Sequence, residues 1–422
     1  MTAQSRTLPE WLDYQQRQHP QAIDLQLGRV RRVAERLALV PARCRSIIVG
    51  GTNGKGSTAA MLAALLRAHG QRVGLFTSPH LVHYRERIAI DGGAVADAAL
   101  VAAFEQIETA RGGEALTFFE YNALAALQLF RMHGCDAMVL EVGLGGRLDA
   151  TNVIDADVAV LCSVGLDHVE WLGSSLEAIG REKAGIFRAG RPVILGTDDM
   201  PQSVYAAAAG LPAPLSVAEK DFSWQRGSDG SWDYRDAQGT LTGLPAPALT
   251  GAIQYRNAAT ALAALRIFLG GRPLERQAVA TALGAVRLPG RFQIVPGAVE
   301  WVLDVAHNGP AAAVLAAALA QRDERRTIAV AGMLGDKDVA AVGQQLDRHI
   351  DHWILCTIAE PRGLSGEELR QRLGSLRSAS ELATDVPRGC ERARQLARHG
   401  DRVLVLGSFH TVGPALQWLA LY

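Results

Sequence analysis

The chain has 422 residues, too many for one ordinary core, and 48% hydrophobic against 20% charged residues describes a soluble globular protein of two or three domains. Lys plus Arg and Asp plus Glu both number 43, so the formal net charge is zero and no global field draws the chain to nucleic acid or a membrane surface. The five cysteines (44, 135, 162, 356 and 390) are odd in number and lack CxxC spacing, which fits reduced thiols in a cytoplasmic protein. The first ten residues lack the apolar segment of a secretion signal, and no apolar run approaches the length of a membrane span.

In chain order, helices are predicted over 7–18 and 24–39, the second on the apolar stripe Ile23, Leu27, Val30, Val33 and Leu37. Ile47, Ile48 and Val49 read as a buried strand, followed by a glycine-rich turn and a helix from Ala59 to Leu66. A second strand runs from Arg72 to Thr77, and a short alternating strand from Arg87 ends in a turn at Gly92. Helices over 96–110 and 118–133 precede strands at 136–141 and 157–163, a helix at 176–187 and a strand at 192–195. Strands alternating with helices predict a doubly wound, mostly parallel sheet of the P-loop type. Residues 218–247, with Trp224, Trp232 and Tyr234, read as antiparallel hairpins at an edge of that sheet.

Helices over 256–269 and 274–286 lead to Leu288-Pro-Gly-Arg291, which punctuates the chain and divides it into domains of residues 1–287 and 288–422. Beyond it the pattern restarts, with strands at 301–304, 327–331, 353–356 and 402–406 and helices at about 309–320, 338–348, 365–373, 387–398 and 411–419. This is a second, smaller α/β domain of Rossmann-like pattern, without the G-x-G-x-x-G fingerprint.

In open α/β sheets ligands gather beyond the carboxyl ends of the strands, and here those ends are polar. The first opens into Gly50-Gly-Thr-Asn-Gly-Lys-Gly-Ser57, a phosphate cradle in which backbone N–H groups, the helix dipole, Lys55 and a hydroxyl converge on an anion. Its fit to G-x-x-x-x-G-K-[ST] is imperfect, because Val49 holds the first glycine position and Gly56 separates Lys55 from Ser57. The second ends in Thr77-Ser-Pro-His80, the third in Glu141 followed by three glycines, and the fourth in Gly165-Leu-Asp-His168. A carboxylate beside phosphates suits Mg²⁺ coordination. Read singly, Glu141 is equally a structural residue, His168 a loop histidine and Lys183 a solvated helix cation.

Seven segments in order, Gly51–Thr58, Thr77–Leu81, Thr117-Phe-Phe-Glu120, Glu141–Asn152, Asp167-His168, Arg181–Ile186 and Asp304-Val-Ala-His-Asn308, resemble the folylpolyglutamate synthase/dihydrofolate synthase family of Mur-type amide ligases, from about Ile23 to Thr411. The resemblance implies that Thr52, Asn53, Gly54 and Lys55 hold the ATP phosphates, with Gly56 and Ser57 at the helix start. Asn257, Arg291 and Asp304 are further ATP contacts, with His307 in the same cleft. It implies two Mg²⁺ ions held by Ser78, Glu141, His168 and a carbamylated Lys183, together with a monovalent cation. Carbamylation needs a neutral amine, which burial favours. Asp304 and His307 could otherwise cap the helix that follows.

The pterin-bearing substrate would lie against Asp24, Leu25, Gln26 and Leu27, against Thr117, Phe118, Phe119 and Glu120, and against Leu148, Asp149 and Ala150. Paired phenylalanines offer faces to a flat bicycle, and Glu120 or Asp149 can accept pterin N–H bonds; core packing is the plain alternative for the two rings. Two positions depart from the family pattern: Gly309 stands between Asn308 and Pro310, and Gln26 stands where glycine is common.

The expected reaction is ATP-driven amide formation on dihydropteroate and on reduced folates, with L-glutamate as the amine, in a monomeric enzyme. A muramyl-type ligase on another carboxylate would need a sugar-nucleotide domain, and the phosphate loop already begins by residue 50. A non-catalytic nucleotide switch leaves Glu141, His168 and Lys183 without a joint role.

Overall fold

A computed structural model of the chain describes residues 6–21 and 23–422; the leading residues that bear on a secretion signal lie outside them. Helices α1 (Leu8–Gln16) and α2 (Gly28–Arg36) precede β1 (Arg45–Gly50), α3 (Lys55–Ala68), β2 (Val73–Phe76), β3 (Ile88–Ile90) and β4 (Gly93–Ala94). Then come α4 (Asp97–Arg111), α5 (Phe118–Met132), β5 (Ala137–Glu141), β6 (Val158–Leu161), α6 (Val169–Leu172), α7 (Leu176–Ala184), β7 (Val193–Leu195), α8 (Gln202–Gly210) and β8 (Leu215–Val217). The eight strands form one sheet in the order β4-β3-β2-β5-β1-β6-β7-β8, parallel from β2 to β8 with β3 and β4 antiparallel at one edge.

The β-branched run of β1 sits at the centre because both its faces are covered. Ile48 points into a cluster with Trp11, Val30, Phe104 and Tyr121 from α1, α2, α4 and α5. Its neighbours Ile47 and Val49 point the other way, against Met61 and Leu62 of α3 and Leu262 of a later helix. The period-two alternation of a strand therefore divides one apolar run between two layers. Strand β1 pairs with β5 on one side and β6 on the other, so the three carboxyl ends meet at a single crevice.

Residues 218–247 depart from expectation. Strands β9 (Phe222–Arg226), β10 (Trp232–Asp236) and β11 (Gly239–Leu244) form a separate three-stranded antiparallel sheet rather than an edge of the main one. Its Trp232 and Tyr234 are buried in the same cluster as α3 and α9 (Ile253–Phe268), so apolar packing onto helices places it. The second helix is also shorter than the apolar stripe suggests. Asp24 to Leu27 remain a loop because Asp24 is tied to Arg29 by side chain and carbonyl, and Ala38 at φ +53° stops the far end.

After α10 (Arg276–Ala285) the second sheet begins with β12 (Gln293–Val295) and β13 (Glu300–Asp304). It continues through α11 (Gly309–Ala320), β14 (Thr327–Ala331), α12 (Val339–Leu346), β15 (His352–Cys356), α13 (Gly366–Leu373), β16 (Ala379–Ala383), α14 (Val386–Leu396), β17 (Arg402–Leu406) and α15 (Phe409–Trp418). Strand order is β12-β13-β17-β14-β15-β16, parallel except for β12. The sequence pattern missed the edge strands β8, β12 and β16, which are short or half exposed and carry weak periodicity. The two halves meet where Leu81, in the loop after β2, packs against Gly413 of α15, with its carbonyl oxygen where a Cβ on that glycine would stand.

Candidate functional site

The glycine-rich turn between β1 and α3 is held open by its glycines. Gly51 has φ +143° and Gly54, capping α3, has φ +88° in the left-handed region. A Cβ on Gly54 would also stand 2.9 Å from Asn257 Oδ1, and one on Gly56 3.4 Å from Glu141 Oε1. The turn is pinned to the loop after β6: Thr52 N–H donates to Ser163 O (2.8 Å), and Gly165 N–H donates to Thr52 Oγ1 (2.9 Å). Lys55 folds back across the turn, its Nζ donating to Gly51 O (2.9 Å) and Thr52 O (3.1 Å). Its ammonium thus caps the concavity that a phosphate would enter.

Glu141 ends β5 directly beside Val49 and is buried. Ser78 N–H donates to its Oε2 at 3.0 Å, so the second and third strand ends are joined as the sequence suggests. Burial pushes the Glu141 carboxyl up from its usual range, opposed first by the charge of Lys55 and then by the Ser78 bond and Arg291. A buried carboxylate of this kind is a poor structural residue and a good cation ligand. Lys183 is buried too, with Nζ donating to Gly51 O at 3.0 Å, which removes its reading as a solvated helix cation. Burial, assisted by the charge of Lys55, lowers its ammonium to about 7, so a substantial share of the amine is neutral near neutral pH.

The second domain closes the crevice. Arg291 lies at the join, its guanidinium 5.1 Å from the Phe409 ring and its Nη2 3.7 Å from the Cβ position of Gly56. Asp304 accepts from Phe292 N–H (2.7 Å) and Ala306 N–H (2.8 Å), tying the join to the end of β13. Neither Asp304 nor His307 caps α11. Asn308 does, accepting from Ala311 N–H at 3.0 Å, while its amide exchanges bonds with the Asn53 amide at 3.1 and 3.2 Å. His307 Nδ1 donates to Val305 O (2.8 Å), leaving Nε2 3.6 Å from Asp167 Oδ2. Between the domains lies a cavity of about 450 Å³. It is lined by the phosphate loop, Ser78, Glu141, His168, Lys183, Asn257, Arg291, Asp304 and His307, so every predicted nucleotide and metal residue shares it.

His168, at φ +51°, turns both ring nitrogens toward the second domain: Lys337 Nζ is 3.2 Å from Nε2 and Asp336 Oδ2 is 3.9 Å from Nδ1. Burial drops its pKa to about 4, with Asp167 opposing and Lys337 and Lys55 assisting, so the ring is neutral at pH 7 and able to bind a metal. Its Nδ1 is buried without a hydrogen-bond partner. The buried carboxylate of Glu141 and the neutral imidazole of His168 suit a divalent cation, which Ser78, Glu141, His168 and a carboxylated Lys183 would hold. Among the described residues no three His, Cys, Asp or Glu side chains stand preassembled around a metal position.

The predicted substrate residues form one patch beside the cleft rather than part of its lining. Arg29 bridges Asp24 and Glu120, with Nε 2.9 Å from both Glu120 oxygens. Glu120 also accepts from Thr117 N–H (2.7 Å) in a capping box for α5. The Phe119 ring lies beneath Gly143, where a Cβ would come within 2.5 Å, and Phe118 packs edge-on to Tyr84. Asp149 accepts from the N–H groups of Gly143 (3.0 Å), Leu144 (2.9 Å) and Thr151 (3.0 Å) and from Thr151 Oγ1 (2.6 Å). In this structure both carboxylates named as pterin acceptors already accept bonds from neighbouring residues. Leu25 and Leu27 are half-buried, Gln26 is exposed, Leu148 is half-buried and Ala150 is buried. Sequence reasoning missed Lys337 and Asn308; Asp336-Lys-Asp338, beyond the carboxyl end of β14, carries the strand-end signal that found the others.

Known proteins match this architecture closely. Residues 49–226 match the Mur ligase middle domain and residues 290–409 the Mur ligase glutamate ligase domain. The dihydrofolate synthase/folylpolyglutamate synthase of Escherichia coli K12 is 43% identical over 97% of this chain and 95% of its own. The chain belongs to the dihydrofolate synthase/folylpolyglutamate synthase family. Escherichia coli FolC in complex with DHPP and ADP superposes at TM-score 0.93 and 42% identity, covering 100% of this chain and 99% of that one. A bifunctional folylpolyglutamate synthase/dihydrofolate synthase with Mn, AMPPNP and L-glutamate bound gives 0.91 and 42% over the whole of both chains. As a member of this family of Mur-type enzymes, the chain is an ATP-dependent ligase. Among the described residues no helix is long and apolar enough to cross a membrane.

Gly54→Ala should weaken ATP binding by at least about tenfold, since the left-handed φ costs on the order of 1–3 kcal/mol and the new methyl group meets Asn257. Calorimetric titration of ATP into the folded variant checks this, and wild-type affinity would refute it.

Proposed function

We propose that this chain joins L-glutamate to dihydropteroate, forming dihydrofolate, and to the glutamate tail of reduced folates, releasing ADP and phosphate. It acts as a cytoplasmic monomer. The observation that carries the reading is the single cleft in which the phosphate loop, Glu141, His168 and Lys183 of the first domain face Arg291, Asp304 and His307 of the second. The first domain, residues 1–287, takes ATP and the pterin-bearing acid, and residues 288–422 take glutamate.

A substrate carboxylate attacks the γ-phosphate of ATP to give an acyl phosphate and ADP. The glutamate amine then attacks that carbonyl, and phosphate leaves. The first step asks for positioning and charge neutralisation more than covalent help. Thr52, Asn53 and Gly54 present the loop to the phosphates, Lys55 neutralises the terminal ones, and Asn257 and Asp304 fix the rest of the nucleotide. Ser78, Glu141, His168 and carbamylated Lys183 would hold divalent ions, which would supply electrostatic stabilisation of the transferring phosphoryl group. Arg291, beside Gly56 and at the join, reaches the phosphates from the second domain and helps exclude water from the acyl phosphate. The patch of Asp24–Leu27, Thr117–Glu120 and Leu148–Ala150 holds the pterin, with Phe119 and Phe118 walling the ring and Asp149 and Glu120 shaping the loops that contact it.

Phosphate release dependent on both ATP and L-glutamate should appear with dihydropteroate and, separately, with tetrahydrofolate. Folded, ATP-binding protein silent with both acids would overturn the reading. ¹³C-bicarbonate should give a carbamate carbon resonance that Lys183→Ala abolishes; the same resonance in the variant, or none in active wild type, would remove Lys183 from the metal set.

A further inference from the structure

Lys337 lies in the loop between β14 and α12 of the second domain, and its side chain is buried. Its ammonium donates to Asp167 Oδ1 at 2.8 Å and to His168 Nε2 at 3.2 Å, both on the first domain, and stands 3.7 Å from Asp336 Oδ2. Asp336 is itself anchored to Arg362 at 3.3 Å, and it faces His168 Nδ1 at 3.9 Å. Lys337 has donors only, so its contact with Nε2 uses the lone pair of that nitrogen and leaves the ring proton on Nδ1. One lone pair cannot serve an ammonium and a metal ion together. With the proton on Nδ1, Nε2 is the nitrogen left to ligate a metal, and it reaches one only after Lys337 withdraws. The buried Oδ1 of Asp336 and Nδ1 of His168 both lack hydrogen-bond partners, so the contact leaves polar groups unsatisfied on each side of the seam.

We propose that Lys337 is a positioning residue that occupies the metal-ligating face of His168 in the metal-free protein and exchanges with the incoming metal ion, coupling metal binding to the placement of the second domain. The inference rests on the reading of His168 as a metal ligand. A divalent ion at His168 repels the ammonium, and expelling it breaks the ion pair of Lys337 with Asp167 on the first domain. The coupling is reciprocal: whatever holds Lys337 on His168 weakens metal binding by the same factor.

The sign of the effect separates this role from a scaffolding one. Mn²⁺ titrated into nucleotide-free, full-length protein, followed by the electron paramagnetic resonance signal of the free ion, should bind Lys337→Met roughly tenfold more tightly than wild type, because a charge-assisted competitor is gone. Lys337→Arg, which keeps the charge and the donors, should stay near wild type. If Lys337→Met fails to fold by circular dichroism, Lys337→Gln serves with the same expected direction. Equal or weaker Mn²⁺ binding by the folded neutral variant would overturn the exchange. His168→Ala distinguishes the failures: if it binds Mn²⁺ as wild type does, the ligand assignment itself is wrong. If it loses Mn²⁺ while Lys337→Met is unchanged, only the exchange is wrong.

Discussion

A carboxylate buried at the end of a central strand, against a phosphate loop, is the constraint on which the rest of this molecule depends. Glu141 sits beside Val49 in register, under the Cβ position of Gly56 and within reach of Ser78 N–H. A charge in that position is tolerated only if cations gather around it. Lys55 and Arg291 are the chain's own contribution, one from each domain, and with the Ser78 N–H and Arg87 they oppose the upward push of burial on Glu141. The loop beside it needs glycine at 51 and 54, where φ is positive and a Cβ would stand 3.1 Å from Cys162 or 2.9 Å from Asn257.

The seam between domains follows the same electrostatic logic. Burial raises the Asp167 carboxyl, but the imidazoles of His307 and His168 and the ammonium of Lys337 beside it outweigh burial and hold the group well below the usual carboxylate range. Asp167 therefore stays ionised, collecting Asn308 at 3.0 Å and Lys337 at 2.8 Å from the second domain. These contacts lie at the mouth of the cleft that encloses the reaction, so the bonds that bring the domains together also assemble the chemistry. An acyl phosphate exposed to water would be lost, and a site split across two domains is closed only when both are engaged.

Much of this was legible in the sequence because the signals are local. A β-branched run, a glycine turn with lysine and a helix name a phosphate loop within a dozen residues, and polar residues at carboxyl ends of strands point to one crevice whatever the strand order. The ion pair of Glu120 was not legible, since its partner Arg29 lies 91 residues away. The three-stranded sheet at 222–244 was misplaced because alternation announces strands but not which layer receives them. Lys337 reaches Asp167 across 170 residues of chain, a contact set entirely by domain packing.

Glu141→Gln tests the central claim most directly, since it keeps the shape and removes the charge. If the buried carboxylate exists for its cations, the metal-free variant should be at least as stable as wild type at pH 8, where the burial cost of the charged form is fully present. Its affinity for Mn²⁺ with a non-hydrolysable ATP analogue should fall by about a hundredfold, the loss expected for one strong charged interaction. A folded variant that binds the metal–nucleotide pair as wild type does would contradict the account.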